Sequence, residues 1–221
     1  AVINLALSEF GLSIMNPFSS VYFDQSIGVK RRLSIKLEDI KRIQKDCYKA
    51  NDEKRWLIAL IADTGMRLAE GAGLLRTDFT RQDGVLCVTI RPHRWRSLKT
   101  KSSARVIPLI GSAKWAAEQI LDQIFESTFA FPTYNYKKRT NANSASASLN
   151  KWLKGRIGQT FSIHSFRHSM RDRLREVDCP SEVIDQIGGW ARSGVGDSYG
   201  EGYSLSKMHN YLEKITFSLN G

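Results

Sequence analysis

Two arginines, a histidine, a tryptophan and a tyrosine stand in this chain at spacings that suit a single reaction. The first arginine lies in the stretch Thr-Gly-Met-Arg67-Leu-Ala-Glu, and the other groups follow far downstream as His164, Arg167, Trp190 and Tyr199. Two guanidinium groups can hold a phosphate bidentately and stabilise the extra negative charge of its pentavalent transition state. A tyrosine hydroxyl can supply the nucleophile. The set therefore indicates phosphoryl transfer at a nucleic-acid backbone.

The tyrosine would depend on its neighbours for activation, because a phenol with a pKa of about 10 is a weak nucleophile at neutral pH. His164 and the two arginines could provide the base and the cationic field that it needs. A single histidine is more often structural, and a single tryptophan usually belongs to a core. The H-x-x-R spacing of His164 and Arg167, with Arg67 upstream, favours the catalytic interpretation.

These motifs resemble those of the tyrosine recombinases, the phage-integrase family of site-specific DNA recombinases. The family has a T-G-x-R-x-x-E-x-x-x-L segment, a lysine on a β-hairpin, an H-x-x-R pair, a second His-or-Trp position and a tyrosine. The matching positions here, in chain order, are residues 64–74, residues 96–109, His164 with Arg167, Trp190 and Tyr199. Gly-Trp stands where Gly-His is commoner, and tryptophan is a known alternative at that position. The resemblance extends over residues 30 to 215.

The resemblance implies a role for each group. Tyr199 attacks the scissile phosphate, giving a 3′-phosphotyrosine and a free 5′-hydroxyl. Arg67 and Arg167 stabilise the transition state, and Trp190 donates its indole N–H to a non-bridging oxygen. The hairpin lysine protonates the leaving 5′ oxygen. The covalent link conserves the phosphodiester energy, so that neither water, a cofactor nor a metal is required.

Three assignments have competing interpretations. Lys99 is followed by threonine, as a recurring hairpin lysine is, but a shift in register would exchange it with Lys101. Tyr203 lies one helical turn beyond Tyr199, although the nine-residue step from the Gly-Trp tryptophan favours Tyr199. Glu70 lies three residues after the first arginine and is expected to orient it, the alternative being an ordinary surface ion pair.

Charge points to DNA as the partner, since 33 Lys and Arg outnumber 22 Asp and Glu and give a net charge of +11. A merely solubilising surface charge is the alternative. The residues expected to contact DNA are Arg31, Arg94, Arg96, Lys101, Lys137 and Arg139. By resemblance, the partner is double-stranded DNA, on which the chain would assemble as a tetramer, and the free protein would be a monomer.

Three widely spaced cysteines argue against a disulfide framework or a zinc site and favour a reducing compartment. Apolar runs are too short for a membrane span of about 20 residues. We therefore expect a cytoplasmic protein of a bacterial host, prophage or mobile element.

The sequence predicts a mainly α fold with a small antiparallel β-sheet, the class of the tyrosine-recombinase catalytic domain. Residues 1–30 are interpreted as the end of a preceding core-binding domain with its linker, and residues 31–221 as the catalytic domain. Ser34 and Ser162 are expected to cap helices. The other expected elements are a helix over 54–62, strands over 85–90 and 104–109, and helices over 112–125, 146–154 and 205–219. Arg167 is expected on the helix face opposite the apolar stripe.

Three rival functions remain at this stage. A metal nuclease would require clustered acidic or histidine ligands, which the neighbourhoods of the motifs lack. A type IB topoisomerase would use similar chemistry to relax DNA without exchanging defined sites. A recombinase-like DNA-binding protein without catalysis would not need the full set of reactive groups.

Overall fold

A computed structural model describes residues 2–19, 21, 33–123, 127–136, 139–191 and 202–217. The chain divides into two compact units, Ala1–Arg31 and Arg32–Gly221. The described part of the first unit contains one helix, α1 (Val2–Glu9). The remaining elements belong to the second unit, which is mainly helical with small antiparallel sheets. The predicted fold class is confirmed.

Helix α3 (Glu53–Thr64) forms the centre of the second unit, and every residue from Trp56 to Thr64 is buried. Asp52 begins it by accepting a hydrogen bond from the backbone N–H of Arg55. Gly65 ends it in the left-handed conformation, with φ of 60°. A Cβ at Gly65 would lie 2.4 Å from the Met170 side chain, so glycine permits a close approach of chain segments there.

Helix α2 (Leu37–Ala50) packs on α3 through Ile40, Ile43 and Cys47. The predicted capping of α2 by Ser34 is wrong, because α2 begins after Lys36 and has no side-chain cap. The Ser34 hydroxyl instead donates to Asp172, a residue of α7 (Ser165–Glu176). Helix α4 (Leu68–Ala72) follows α3 after a short bend.

The three-stranded sheet has the order β1 (Phe79–Gln82), β2 (Val85–Ile90) and β3 (Arg105–Pro108), and both pairs are antiparallel. Strands β2 and β3 confirm the sequence prediction. Strand β1 was not predicted, because its Thr-Arg-Gln segment lacks an apolar alternation. Asp83 and Gly84 join β1 to β2 with positive φ at both positions, which is the Asp-Gly signal of a tight hairpin.

Helices α5 (Gly111–Asp122) and α6 (Ala142–Ile157) come next, separated by the short strands β4 (Asn135–Tyr136) and β5 (Arg139–Thr140). Helix α6 begins four residues earlier than expected. The reason is that the Asn141 side chain accepts a hydrogen bond from the backbone N–H of Ser144, and the alanines that follow favour helix.

Helix α7 carries Arg167 of the H-x-x-R pair, and α8 (Ser181–Gly188) ends at Gly189 in the left-handed conformation. The expected cap from Ser162 is wrong, since the backbone N–H of Ser162 donates to the Ser165 hydroxyl instead. Helix α9 (Leu205–Ile215) packs against α7 and β3 of its own chain. Within the described residues, no helix is both long and apolar enough to cross a membrane.

Candidate active site

Arg67 lies at the start of α4, where Glu70 fixes it through two hydrogen bonds. One carboxylate oxygen of Glu70 accepts the backbone N–H of Arg67 at 2.9 Å, and the other accepts Nη1 of the guanidinium at 2.6 Å. The Ser103 hydroxyl also accepts a hydrogen bond from Nη1, at 2.9 Å. Three contacts therefore hold Arg67 in one orientation, which favours preorganised binding of an anion.

Glu70 is only 3% exposed, so the pair with Arg67 is not the surface ion pair considered above. Its second cationic partner is Arg105 of β3, whose Nη2 lies 3.0 Å from the carboxylate. Burial raises the pKa of Glu70, but the charge of Arg105 and the hydrogen bonds from Arg67 outweigh it and lower that pKa overall. Glu70 is therefore ionised at neutral pH.

Arg167 is also buried, at 3% exposure, although the sequence placed it opposite the apolar stripe. Its Nη1 donates to the carbonyl of Gly65 at 2.8 Å, which connects α7 to the end of α3. Its Nη2 is buried without a hydrogen-bond partner among the described residues. Burial, together with the charges of Arg67 and Arg105, lowers the pKa of Arg167 to about 9. An anion at this point would accept a hydrogen bond from Nη2, the donor without a partner in the described part of the chain, and would reduce the repulsion between the cations.

Trp190 lies just beyond α8, with its ring 4.0 Å from the Arg167 guanidinium and 4.7 Å from that of Arg171. Its backbone N–H donates to the carbonyl of Asp185. A Cβ at Gly188 would lie only 1.7 Å from the indole ring, which explains the first glycine of the Gly-Gly-Trp stretch. The structure thus brings Trp190 and Arg167 together.

His164 is the residue before α7 and is half-buried, with its ring edge-to-face against His168 at 5.3 Å. It lies within one turn of Arg167, as the H-x-x-R spacing requires. Lys99 is exposed in the connection between β2 and β3, four residues before Ser103, which contacts Arg67. The side chain of Lys101 is outside the described part, so the choice between the two lysines remains open.

Of the predicted DNA contacts, Arg94 and Arg139 are exposed. Arg96 is instead only 5% exposed, and its three guanidinium nitrogens have no hydrogen-bond partner among the described residues. Its side chain lies against Gly73 and is packed within the protein, so Arg96 stays a predicted DNA contact but is buried rather than exposed. Arg31 and Lys137 lie outside the described residues.

Tyr199 also lies outside the described residues, but the flanking chain is anchored at both ends on α8. The backbone N–H of Trp190 donates to the carbonyl of Asp185 in α8. The side chain of Gln186, the next residue of α8, makes two hydrogen bonds with the backbone of Tyr203, at 2.8 and 2.9 Å. The Tyr203 ring packs against the core, with the ammonium of Lys207 4.6 Å from its centroid. The described residues on either side of the segment that contains Tyr199 are therefore both hydrogen-bonded to α8.

Ser103 and Arg105 are site residues that the sequence did not reveal. A signal existed for Arg105, because a cation in the buried strand Arg-Val-Ile-Pro must have buried partners. The described residues contain no group of three or more His, Cys, Asp or Glu side chains that could hold a metal ion.

Comparison with known proteins decides the family, because the model of the phage integrase family matches residues 34–201. The chain belongs to the phage integrase family. As a member of that family it is a site-specific tyrosine recombinase. No curated protein sequence matches it.

Solved structures of three recombinases are among those that share the fold of this integrase-family chain. The XerA recombinase is 14% identical with a TM-score of 0.55, and the match covers 96% of this chain and 68% of XerA. The Tn1549 transposon integrase in complex with circular intermediate DNA is 16% identical, with a TM-score of 0.58 and coverage of 96% and 76%. The XerH recombinase bound to difH before cleavage is 18% identical, with a TM-score of 0.58. This chain spans 59% of the XerH chain.

Proposed function

We propose that this integrase-family enzyme cleaves and rejoins double-stranded DNA through a covalent bond between Tyr199 and a 3′ phosphate. The observation that carries the proposal is the state of Arg167. Its guanidinium is buried beside two further cations, its pKa is lowered to about 9, and one of its donors has no described partner. Such a group is costly to bury unless an anion completes the site. A scissile phosphate is that anion.

Each group has a separate step in the reaction. The Tyr199 oxygen bonds to phosphorus while the bond from phosphorus to the 5′ oxygen breaks. His164 takes the phenolic proton, and Lys99 or Lys101 gives a proton to the departing 5′ oxygen. Arg67 and Arg167 hold the non-bridging oxygens, where negative charge develops, and the indole N–H of Trp190 adds a donor. Religation is the same exchange in reverse, so no external energy source is needed.

We assign the nucleophile to Tyr199 rather than Tyr203 because of what surrounds Tyr203. Its backbone is bonded to Gln186, and its ring packs against the core beneath Lys207. The nine-residue step from Trp190 to Tyr199, which matches the family pattern, supports Tyr199 as the nucleophile.

Metal independence is the first consequence. Chelators such as EDTA should leave the rate of covalent adduct formation unchanged, because charge at the phosphate is supplied by arginines. The measurement is adduct formation on a pool of nicked DNA duplexes with a randomised core. Cleavage releases a short 5′-hydroxyl fragment, and because this fragment diffuses away, religation is prevented and the covalent intermediate accumulates. A strict need for divalent ions, with DNA duplex integrity verified separately, would favour a metal nuclease.

DNA binding by this chain should fall steeply with salt, because exposed cations such as Arg94 and Arg139 contact phosphates rather than bases. With six or more phosphate contacts, affinity should drop by about 10³-fold or more between 50 and 200 mM salt. Fluorescence anisotropy against salt measures this, with Arg94→Ala expected to flatten the slope by about one unit. Salt-insensitive binding would refute the proposed contacts.

Assembly and compartment complete the proposal. The free chain is a monomer, with α9 docked on its own domain, and protomers meet as a tetramer on DNA. Sedimentation of the free protein should therefore show one chain. The three cysteines are free and buried, which fits a reducing compartment. We therefore propose the cytoplasm of a bacterium, with the protein encoded by the host, a prophage or another mobile element.

A further inference from the structure

Arg105 is a buried cation outside the set of groups that act on phosphate. Its side chain is 3% exposed. Each of its three nitrogens donates to a protein oxygen: Nε to the carbonyl of Ile187 at 2.7 Å, Nη1 to the carbonyl of Ser103 at 2.6 Å, and Nη2 to Glu70 at 3.0 Å. The guanidinium thus contacts the residues just before its own strand and two segments that are distant in sequence.

Those segments carry the site. Among the described residues, Ser103 and Glu70 are the side chains that accept hydrogen bonds from the Arg67 guanidinium. Ile187 lies in the last turn of α8, immediately before the glycines that lead to Trp190. A Cβ at Gly189 would lie 2.6 Å from Nη1 of Arg105, so this glycine leaves room for the guanidinium. Arg105 therefore bridges the Arg67 side of the site and the Trp190 side.

We propose that Arg105 is a positioning residue, which fixes Arg67 relative to Trp190 and keeps Glu70 ionised so that Glu70 can orient Arg67. The inference rests on the proposed cleavage function. Arg105 acts through its neighbours, since its nitrogens are already engaged with protein oxygens and it need not contact DNA.

The charge of Arg105 has a consequence that packing alone would lack. Glu70 is buried, and burial by itself raises its pKa, while Arg105 is the largest influence that lowers it. Without Arg105, Glu70 takes up a proton at a higher pH. A protonated Glu70 loses acceptor capacity toward the backbone and side chain of Arg67. Removing the charge therefore makes cleavage fall as pH decreases through a range where the wild type is still active.

The test compares Arg105→Met and Arg105→Lys across pH 5 to 8, with adduct formation on the nicked-duplex pool as the readout. Arg105→Met should lose up to about 100-fold in cleavage rate near neutral pH, as expected for misplaced catalytic groups. Its DNA affinity should be unchanged. The pH below which its cleavage rate declines should also be higher than in the wild type. This shift should vanish in the double variant Arg105→Met with Glu70→Gln, because glutamine does not titrate. Arg81→Met, which removes an exposed cation of β1, is the matched control.

The proposal would be overturned by a folded Arg105→Met variant that cleaves at the wild-type rate, or whose cleavage rate declines at the same acidic pH as that of the wild type. Should that variant not fold, Arg105→Lys decides: it keeps the charge but cannot reach all three oxygens, so it should cleave slowly with the wild-type pH profile. A wild-type rate for the lysine variant would overturn the positioning role. Absence of any adduct with the wild-type protein would instead contradict the proposed function itself.

Discussion

Replacing Tyr199 by phenylalanine is expected to abolish covalent attachment to DNA while leaving DNA affinity within about twofold of wild type, because only the nucleophilic oxygen is removed. The measurement is the detergent-resistant adduct on nicked duplexes, together with anisotropy for binding. Tyr203→Phe is the matched control, since it removes a hydroxyl four residues along the same chain segment. We expect that variant to keep its adduct.

The opposite pattern would be informative. An adduct of normal yield in Tyr199→Phe and none in Tyr203→Phe would transfer the nucleophile to Tyr203. It would also require the Tyr203 ring to leave its packed position beside Lys207 during the reaction. Normal adducts in both variants would contradict the tyrosine mechanism.

Arg167→Met is expected to lower the cleavage rate by about 10²- to 10³-fold while raising the stability of the free protein. The folded-state pKa of about 9 lies well below that of free arginine. Folding therefore bears the cost of a buried, partly unpaired charge at every pH below about 9, and that cost is fully present at pH 7. Methionine fills similar volume without the charge, so the free energy of unfolding should rise by about 1–4 kcal/mol.

Thermal unfolding at pH 7 without DNA measures the stability change. The stabilising effect should shrink as pH rises above about 9, where the wild-type arginine loses its proton. Arg171→Met is the control, because Arg171 stacks on the same Trp190 ring but is more exposed and pairs with Asp185. Arg167→Lys should also cleave poorly, since it lacks the planar fork. Near-wild-type cleavage by the lysine variant would argue against the proposed role.

The sequence was most informative where one local rule acted alone. The apolar run from Trp56, bounded by Asp52 and Gly65, determines a buried helix with little influence from the rest of the chain. The same holds for strand β2, where the run of β-branched and apolar residues from Val85 to Ile90 is local. The pair of Arg67 and Glu70 follows from their spacing on one helical turn.

Burial of charge was the main feature that local patterns did not reveal. Arg96 and Arg167 both stand in polar stretches, and helical or hairpin periodicity places them toward solvent. The contacts that bury them come from distant parts of the chain, as with the carbonyl of Gly65 for Arg167 and the backbone of Gly73 for Arg96. Such contacts depend on tertiary packing, which periodicity does not encode.

Caps were mispredicted for a related reason. Ser34 and Ser162 are good capping residues by type, but each has a better partner in the folded chain: Asp172 for the Ser34 hydroxyl, and the Ser165 hydroxyl for the backbone of Ser162. At the start of α6 a cap was missed instead. The Asn/Ser/Ala-rich composition suggested a loop, but the Asn141 side chain caps the helix there.

The most direct test of the account is to identify the residue that bonds to DNA. Wild-type protein is incubated with the randomised nicked duplexes, adducts are isolated in detergent, and the DNA-linked peptide is mapped by mass spectrometry. The account predicts a 3′-phosphotyrosyl bond at Tyr199 and a free 5′-hydroxyl on the released fragment, with or without EDTA. A 5′-linked adduct, attachment at any other residue, or cleaved DNA with no attached protein would contradict it.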